Sequence, residues 1–128
     1  MMKKVRSSAS KKHLIIQKHL ENVISNLPTP KGWILQVLSL EDKECDQNYN
    51  PDIFVQWVKK TGGKYKLYIE IQKNFKEPSF MEKMKVYSKM VVQRKIFSYM
   101  LVDEDIAPRD IFELDDWLEE QLLMNVPW

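Results

Sequence analysis

The chain has 128 residues, of which 44% are hydrophobic, 30% are charged and only three are glycine, and its net charge is +2. That composition belongs to one ordinary globular domain and excludes low-complexity and collagen-like chains. No apolar run approaches the roughly 18 residues of a membrane span, and a single cysteine, Cys45, excludes an internal disulfide framework and a Cys-rich zinc site.

Residues 1–9 read as a flexible basic arm and 10–128 as one domain. Lys3, Lys4, Arg6, Lys11 and Lys12 give the first twelve residues five bases and no acid. No apolar stretch with a small-residue cleavage site follows, so this is not read as a signal peptide, and a soluble, cytoplasmic protein is expected. Ser10 can cap a helix whose apolar stripe is Ile16, Leu20, Val23 and Leu27, ended by Pro28 and Pro30. Trp33 to Leu40 reads as a buried strand, and the polar run Glu41 to Asn50 as a loop. Ile53 to Val58 and Tyr65 to Ile71 are β-branched and aromatic, and Lys60-Thr61-Gly62-Gly63-Lys64 between them signals a hairpin. Pro78 opens a second helix with Phe80, Met84, Tyr87 and Val91 inward. Lys95 to Val102 is a further strand, and Pro108 restarts a helix with Ile111, Leu114, Leu118 and Leu122 inside.

The order α-β-β-β-α-β-α predicts an α/β (α+β) domain, with a mixed central sheet flanked by helices and an added C-terminal helix. Residues 103–120 carry nine acids and one base, Arg109. A phosphate-binding surface is therefore expected toward the N-terminal and middle parts of the chain and not along the last helix.

The strand Tyr65 to Ile71 alternates cleanly. Tyr65, Leu67, Ile69 and Ile71 share one face; Lys66, Tyr68, Glu70 and Gln72 share the other. A carboxylate within such a strand runs against its propensity. If the hairpin is centred on Gly62, Asp52 lies opposite Gln72 and Glu70 opposite Phe54. Asp52 and Glu70 then share a face as diagonal neighbours roughly 7–8 Å apart, whereas a one-residue slip sends them to opposite faces. Two carboxylates converging at a strand end make a hard-oxygen site suited to Mg²⁺ or Mn²⁺.

Asn50-Pro51-Asp52-Ile53-Phe54-Val55 and Tyr68-Ile69-Glu70-Ile71-Gln72-Lys73, joined by a glycine hairpin, resemble the PD-(D/E)xK nuclease superfamily, which includes restriction endonucleases, Holliday junction resolvases and transposon-encoded nucleases. The resemblance covers about residues 12–102 and implies a restriction-endonuclease-like core. It implies Asp52 and Glu70 as metal ligands and catalytic residues, the Ile71 carbonyl as a third ligand, and Glu21 of the first helix as a further candidate. Where the family usually has Lys, this chain has Gln72, similar to the E-x-Q form of competence-associated and transposase-like members. Gln72 can orient a water by hydrogen bonding but brings no charge; Lys83 or Lys85 on the following helix could lean over the site.

Lys73, Lys76, Lys83, Lys85, Lys89 and Arg94 cluster on and around the second helix and are candidate phosphate contacts. His13 and His19 fall on different helix faces and form no metal pair, and His13 reads as exposed near a helix start. Neither Cys45 nor any serine has a nucleophile's partners. Trp117 and Trp128, with Leu122, Leu123 and Met124, form a candidate homodimer patch.

The expected function is a Mg²⁺- or Mn²⁺-dependent DNA endonuclease, with Asp52, Glu70 and Gln72 at the site. The alternatives are a catalytically weak or inactive nuclease-fold protein serving as a DNA-binding or assembly module, and an unrelated α+β interaction domain whose Glu70 and Gln72 merely face solvent.

Overall fold

The computed structural model describes residues 10–128, and the basic arm expected over residues 1–9 lies outside them. Its elements are α1 (Lys11–Asn26), β1 (Trp33–Ser39), β2 (Ile53–Lys59), β3 (Lys64–Gln72), α2 (Pro78–Val92), β4 (Ser98–Asp103) and α3 (Ile111–Leu123). A 3-10 turn, Gln47–Tyr49, lies in the polar connection between β1 and β2. The strands form one mixed sheet in the order β1-β2-β3-β4. The first two pairings are antiparallel and the β3–β4 pairing is parallel, with α2 as the crossover.

Alternation along β2 and β3 divides the core. Ile53, Val55 and Trp57 of β2 and Leu67, Ile69 and Ile71 of β3 face one way, against Ile16, Leu20 and Ile24 of α1 and Leu114, Leu118 and Leu122 of α3. Phe54 and Tyr68 face the other way, against Tyr87 of α2 and Ile96. The protein is thus an α+β fold with helices on both faces of a four-stranded sheet. None of the described helices is long and apolar enough to cross a membrane.

Several expectations shift. β1 is an edge strand and only half-buried, with Ile34 exposed. A bulge at Gln36, between Leu35 and Val37, breaks its alternation, so Trp33, Leu35 and Leu38 pack on one face while Val37 packs on the other. The apolar run there reflects two faces served in turn, not a buried central strand. β4 begins at Ser98 because the preceding residues close the end of α2. α3 begins at Ile111, where the Asp110 carboxylate caps the N–H groups of Phe112 and Glu113. Pro108 therefore precedes the helix without starting it.

The aromatic C-terminus turns inward. Trp128 packs against Trp33 and Trp57, each with ring centroids 5.2 Å apart. Leu122 is buried and Trp117 packs against the same core. Of the expected dimer patch, only Leu123 and Met124 are exposed.

Candidate functional site

The β2–β3 hairpin determines which side chains meet. Its turn closes with Lys59 N–H donating to the Gly63 carbonyl at 2.7 Å and Gly62 N–H to the Lys59 carbonyl at 2.7 Å, with Gly62 at φ 108°. This is a three-residue loop with glycine in the left-handed position. It centres the hairpin on Thr61, one residue before the expected centre. The ladder runs from Val58↔Lys64 to Ile53↔Ile69 and stops there, the Asp52 N–H donating to the Ile69 carbonyl at 3.0 Å, so Asp52 meets Glu70 beyond the regular pairing. The register within the ladder is shifted by two residues from the expected one, and the irregular pairing at Asp52 brings its backbone onto the Glu70 carboxylate.

Asp52 and Glu70 are 5% and 4% exposed, so both oxygens of each must be satisfied within the protein. The Asp52 N–H donates to Glu70 Oε1 at 3.0 Å, and Ile71 N–H to Asp52 Oδ2 at 2.7 Å. Lys83 Nζ lies 2.7 Å from Glu70 Oε2, and His13 Nε2 lies 3.5 Å from Asp52 Oδ1. Burial, and after it the Asp52 carboxylate, push Glu70 up to about 7, while Lys83 and the Asp52 N–H act in the opposite direction. Burial and the same two carboxylates keep the nearby Tyr87 hydroxyl protonated far above its ordinary range.

Two residues of this cluster escaped the sequence reading. His13 is buried, not exposed. It belongs to the inward stripe His13, Ile16, Leu20 and Ile24 of α1, a spacing of three, four and four that was visible in the chain. Its Nδ1 lies 3.2 Å from Glu104 Oε2, and Ser10 Oγ donates to Glu104 Oε1 at 2.9 Å while accepting the His13 N–H at 2.9 Å. Glu104 continues the buried alternation Met100, Val102 of β4 by one more step. It is tied to the end of β3 by its own N–H, which donates to the Gln72 carbonyl at 3.1 Å.

The other candidates fall in different places. Gln72 is half-buried, and its Nε2 donates to the Asn74 carbonyl at 2.9 Å. Glu21 lies eight residues along α1 from His13, about 12 Å further down the helix axis, and does not join the cluster. Lys83, grouped with the phosphate contacts, sits on the inward side of α2 between Phe80 and Tyr87 and pairs with Glu70. Lys73, Lys76, Lys85, Lys89 and Arg94 are exposed. Ile71 lies two residues beyond Ile69, where the β2–β3 pairing ends. His19 pairs separately with Asp115 at 2.8 Å. Burial raises the Cys45 thiol, which suits an inert side chain.

Among the described residues, no group of three or more His, Cys, Asp and Glu side chains is arranged to hold a metal ion. Compared with known proteins, the chain matches no protein family, no curated protein and no solved structure.

Proposed function

We propose that the chain is a metal-dependent DNA endonuclease of the PD-(D/E)xK kind, with a restriction-endonuclease-like core and Lys83 supplying the positive charge that Gln72 lacks. The observation that carries this reading is the buried Asp52–Glu70 pair, with a lysine on the second carboxylate at the end of a hairpin in a mixed sheet. A hard divalent cation fits the donor set. Each carboxylate oxygen has two lone pairs and one named protein partner, so the pair retains acceptor capacity. Asp52, Glu70 and the Ile71 carbonyl would hold Mg²⁺ or Mn²⁺. A cation there acidifies a water and offsets charge gathering on the phosphate.

The chain's own residues do the rest. Lys83 holds Glu70 in place and keeps an ammonium beside the carboxylates, a charge that a neutral amide at position 72 cannot supply. His13, braced by Glu104, and the Ile71 N–H fix Asp52 from two sides. Exposed Lys73, Lys76, Lys85 and Lys89 hold the phosphate backbone near the site. Specificity comes from DNA shape, a second copy or a partner protein, and the substrate is DNA in the cytoplasm.

The test is cleavage of supercoiled plasmid and of a four-way junction with Mg²⁺ or Mn²⁺. Wild type should cut, and Glu70→Ala and Lys83→Met should each lose at least about 10²-fold in rate. No cutting by wild type, or equal cutting by Glu70→Ala, ends this reading.

One observation favours a second reading, a DNA-binding or assembly module without hydrolysis: all four oxygens of Asp52 and Glu70 already have a protein partner within 3.5 Å. DNA binding by wild type with no cleavage under either metal selects it.

A further inference from the structure

At the other end of β3, a cleft of about 510 Å³ opens between the start of that strand and the connection from α2 to β4. Lys64, Lys66, Arg94 and Lys95 line it against one carboxylate, Glu44. Lys66 is held by Asp42 and Glu44. Among the described residues, Lys64, Arg94 and Lys95 take part in no ion pair.

The backbone of this connection carries a second observation. Arg94 N–H donates to the Val91 carbonyl at 3.0 Å and Lys95 N–H to the Met90 carbonyl at 2.8 Å. Those two bonds form a Schellman motif, whose residue after the cap takes a left-handed conformation and is usually glycine. Here that residue is Arg94, at φ 61°. Crowding between Cβ and the carbonyl disfavours any side chain there, yet the chain places a guanidinium at that position and into the lining of the cleft.

Three cations without ion partners suit a ligand with more than one negative charge, and a guanidinium matches phosphate oxygens two at a time. Phe97, 43% exposed, meets Tyr65 edge-on with centroids 5.5 Å apart, and both line the cleft. An exposed aromatic ring beside a basic groove offers a surface on which a base can stack. The geometry points to a nucleotide-phosphate site: Arg94, Lys95 and Lys64 hold a phosphate group, and Phe97 takes the attached base. The ligand comes from a nucleic-acid strand or from a free nucleotide. Four residues of β3, about 13 Å, separate Lys66 from Glu70, so this site stands apart from the carboxylate pair and does not depend on hydrolysis.

The test titrates a labelled oligothymidylate and, separately, ATP into the full chain in EDTA. Wild type is compared with Arg94→Gly and with the double variant Lys64→Glu/Lys95→Glu. Affinity for at least one probe should fall about tenfold in Arg94→Gly and further in the double variant. The slope of log K against log salt should fall by about one for each phosphate that the variant no longer neutralises. The melting temperature of Arg94→Gly should equal or exceed that of wild type, which separates lost binding from lost folding. Weaker oligothymidylate binding assigns the phosphate to a strand; weaker ATP binding with oligothymidylate unchanged assigns it to a free nucleotide. Failure of wild type to bind either probe, or equal binding by all three proteins, overturns the proposal. With no divalent metal present, that failure is read independently of plasmid cleavage.

Discussion

At the C-terminal end of β3 each buried charge has a counterpart: Glu70 has Lys83, Asp52 has the Ile71 N–H and His13, and Glu104 has Ser10 and His13. At the N-terminal end of the same strand, Lys64, Arg94 and Lys95 stand at an open cleft with no ion partner among the described residues. The difference follows from solvent. Burial makes an uncompensated charge cost several kcal/mol, so the carboxylate end holds together only as a set. Water screens the cleft, where the same charges can stand unpaired at little cost. Removing one member should therefore unbalance the first end and barely disturb the second.

Lys83→Met gives the largest contrast. It leaves Glu70 and Asp52 facing each other without the ammonium, and the unfolding free energy should fall by about 3 kcal/mol at neutral pH. The loss should shrink as pH falls below 7, because Glu70 takes up its proton there. Lys95→Met, made in the cleft, should stay within about 0.5 kcal/mol of wild type. Urea denaturation of both variants decides it, and equal losses would break the comparison.

The pH dependence is the next largest effect. Glu70 sits at about 7 in the folded protein against an ordinary 4.5, so between those values the folded state binds more protons than the unfolded one. Its contribution is fully present below about pH 4.5 and is lost as pH rises through 7. Relative to Glu70→Gln, wild type should lose about 2 kcal/mol across that window. A flat difference between the two proteins would mean that Lys83 and the Asp52 N–H fully offset burial and the Asp52 carboxylate.

These effects indicate how much of each end was legible beforehand. The element order was readable from periodicity, and the nearness of Asp52 and Glu70 from the hairpin that joins their strands. The pairing itself was not, because the turn type depends on which glycine takes a positive φ, and Gly62 and Gly63 look alike in sequence. Lys83 could be named as a residue able to lean over the site, but not chosen over Lys85 without knowing which way α2 faces the sheet. His13 and Glu104 were hidden for another reason. Each continues an apolar periodicity by one polar residue at an element's end, where a pattern is most easily taken to have stopped. The cleft was invisible because its defining feature, Arg94 in a glycine conformation, is a backbone property with no mark in the composition.

Ser10→Ala should have a smaller effect. The Ser10 hydroxyl both caps α1 at the His13 N–H and donates to Glu104. Its loss should cost about 1 kcal/mol from the cap, and more if the bond to buried Glu104 matters independently. Ser10→Asp restores a capping acceptor but sets a carboxylate against Glu104. It should therefore remain below wild type at neutral pH and recover in acid. Full recovery at neutral pH would show that the cap alone accounts for the serine, and that the buried end tolerates another negative charge.

Arg94→Gly should give the smallest change and the opposite sign. At φ 61° a glycine relieves the crowding between Cβ and carbonyl while giving the unfolded chain more freedom to lose. The two terms oppose each other, and the net gain should be about 0.5 kcal/mol or less, read as a small rise in the urea midpoint at unchanged slope. The sign is what matters. A variant that folds as well as or better than wild type shows that Arg94 is not there for the fold, which leaves its charge in the cleft as the reason for an arginine at a glycine's position. A clear loss of stability would mean that the guanidinium packs or bonds locally, and the cleft would then be as internally compensated as the carboxylate end.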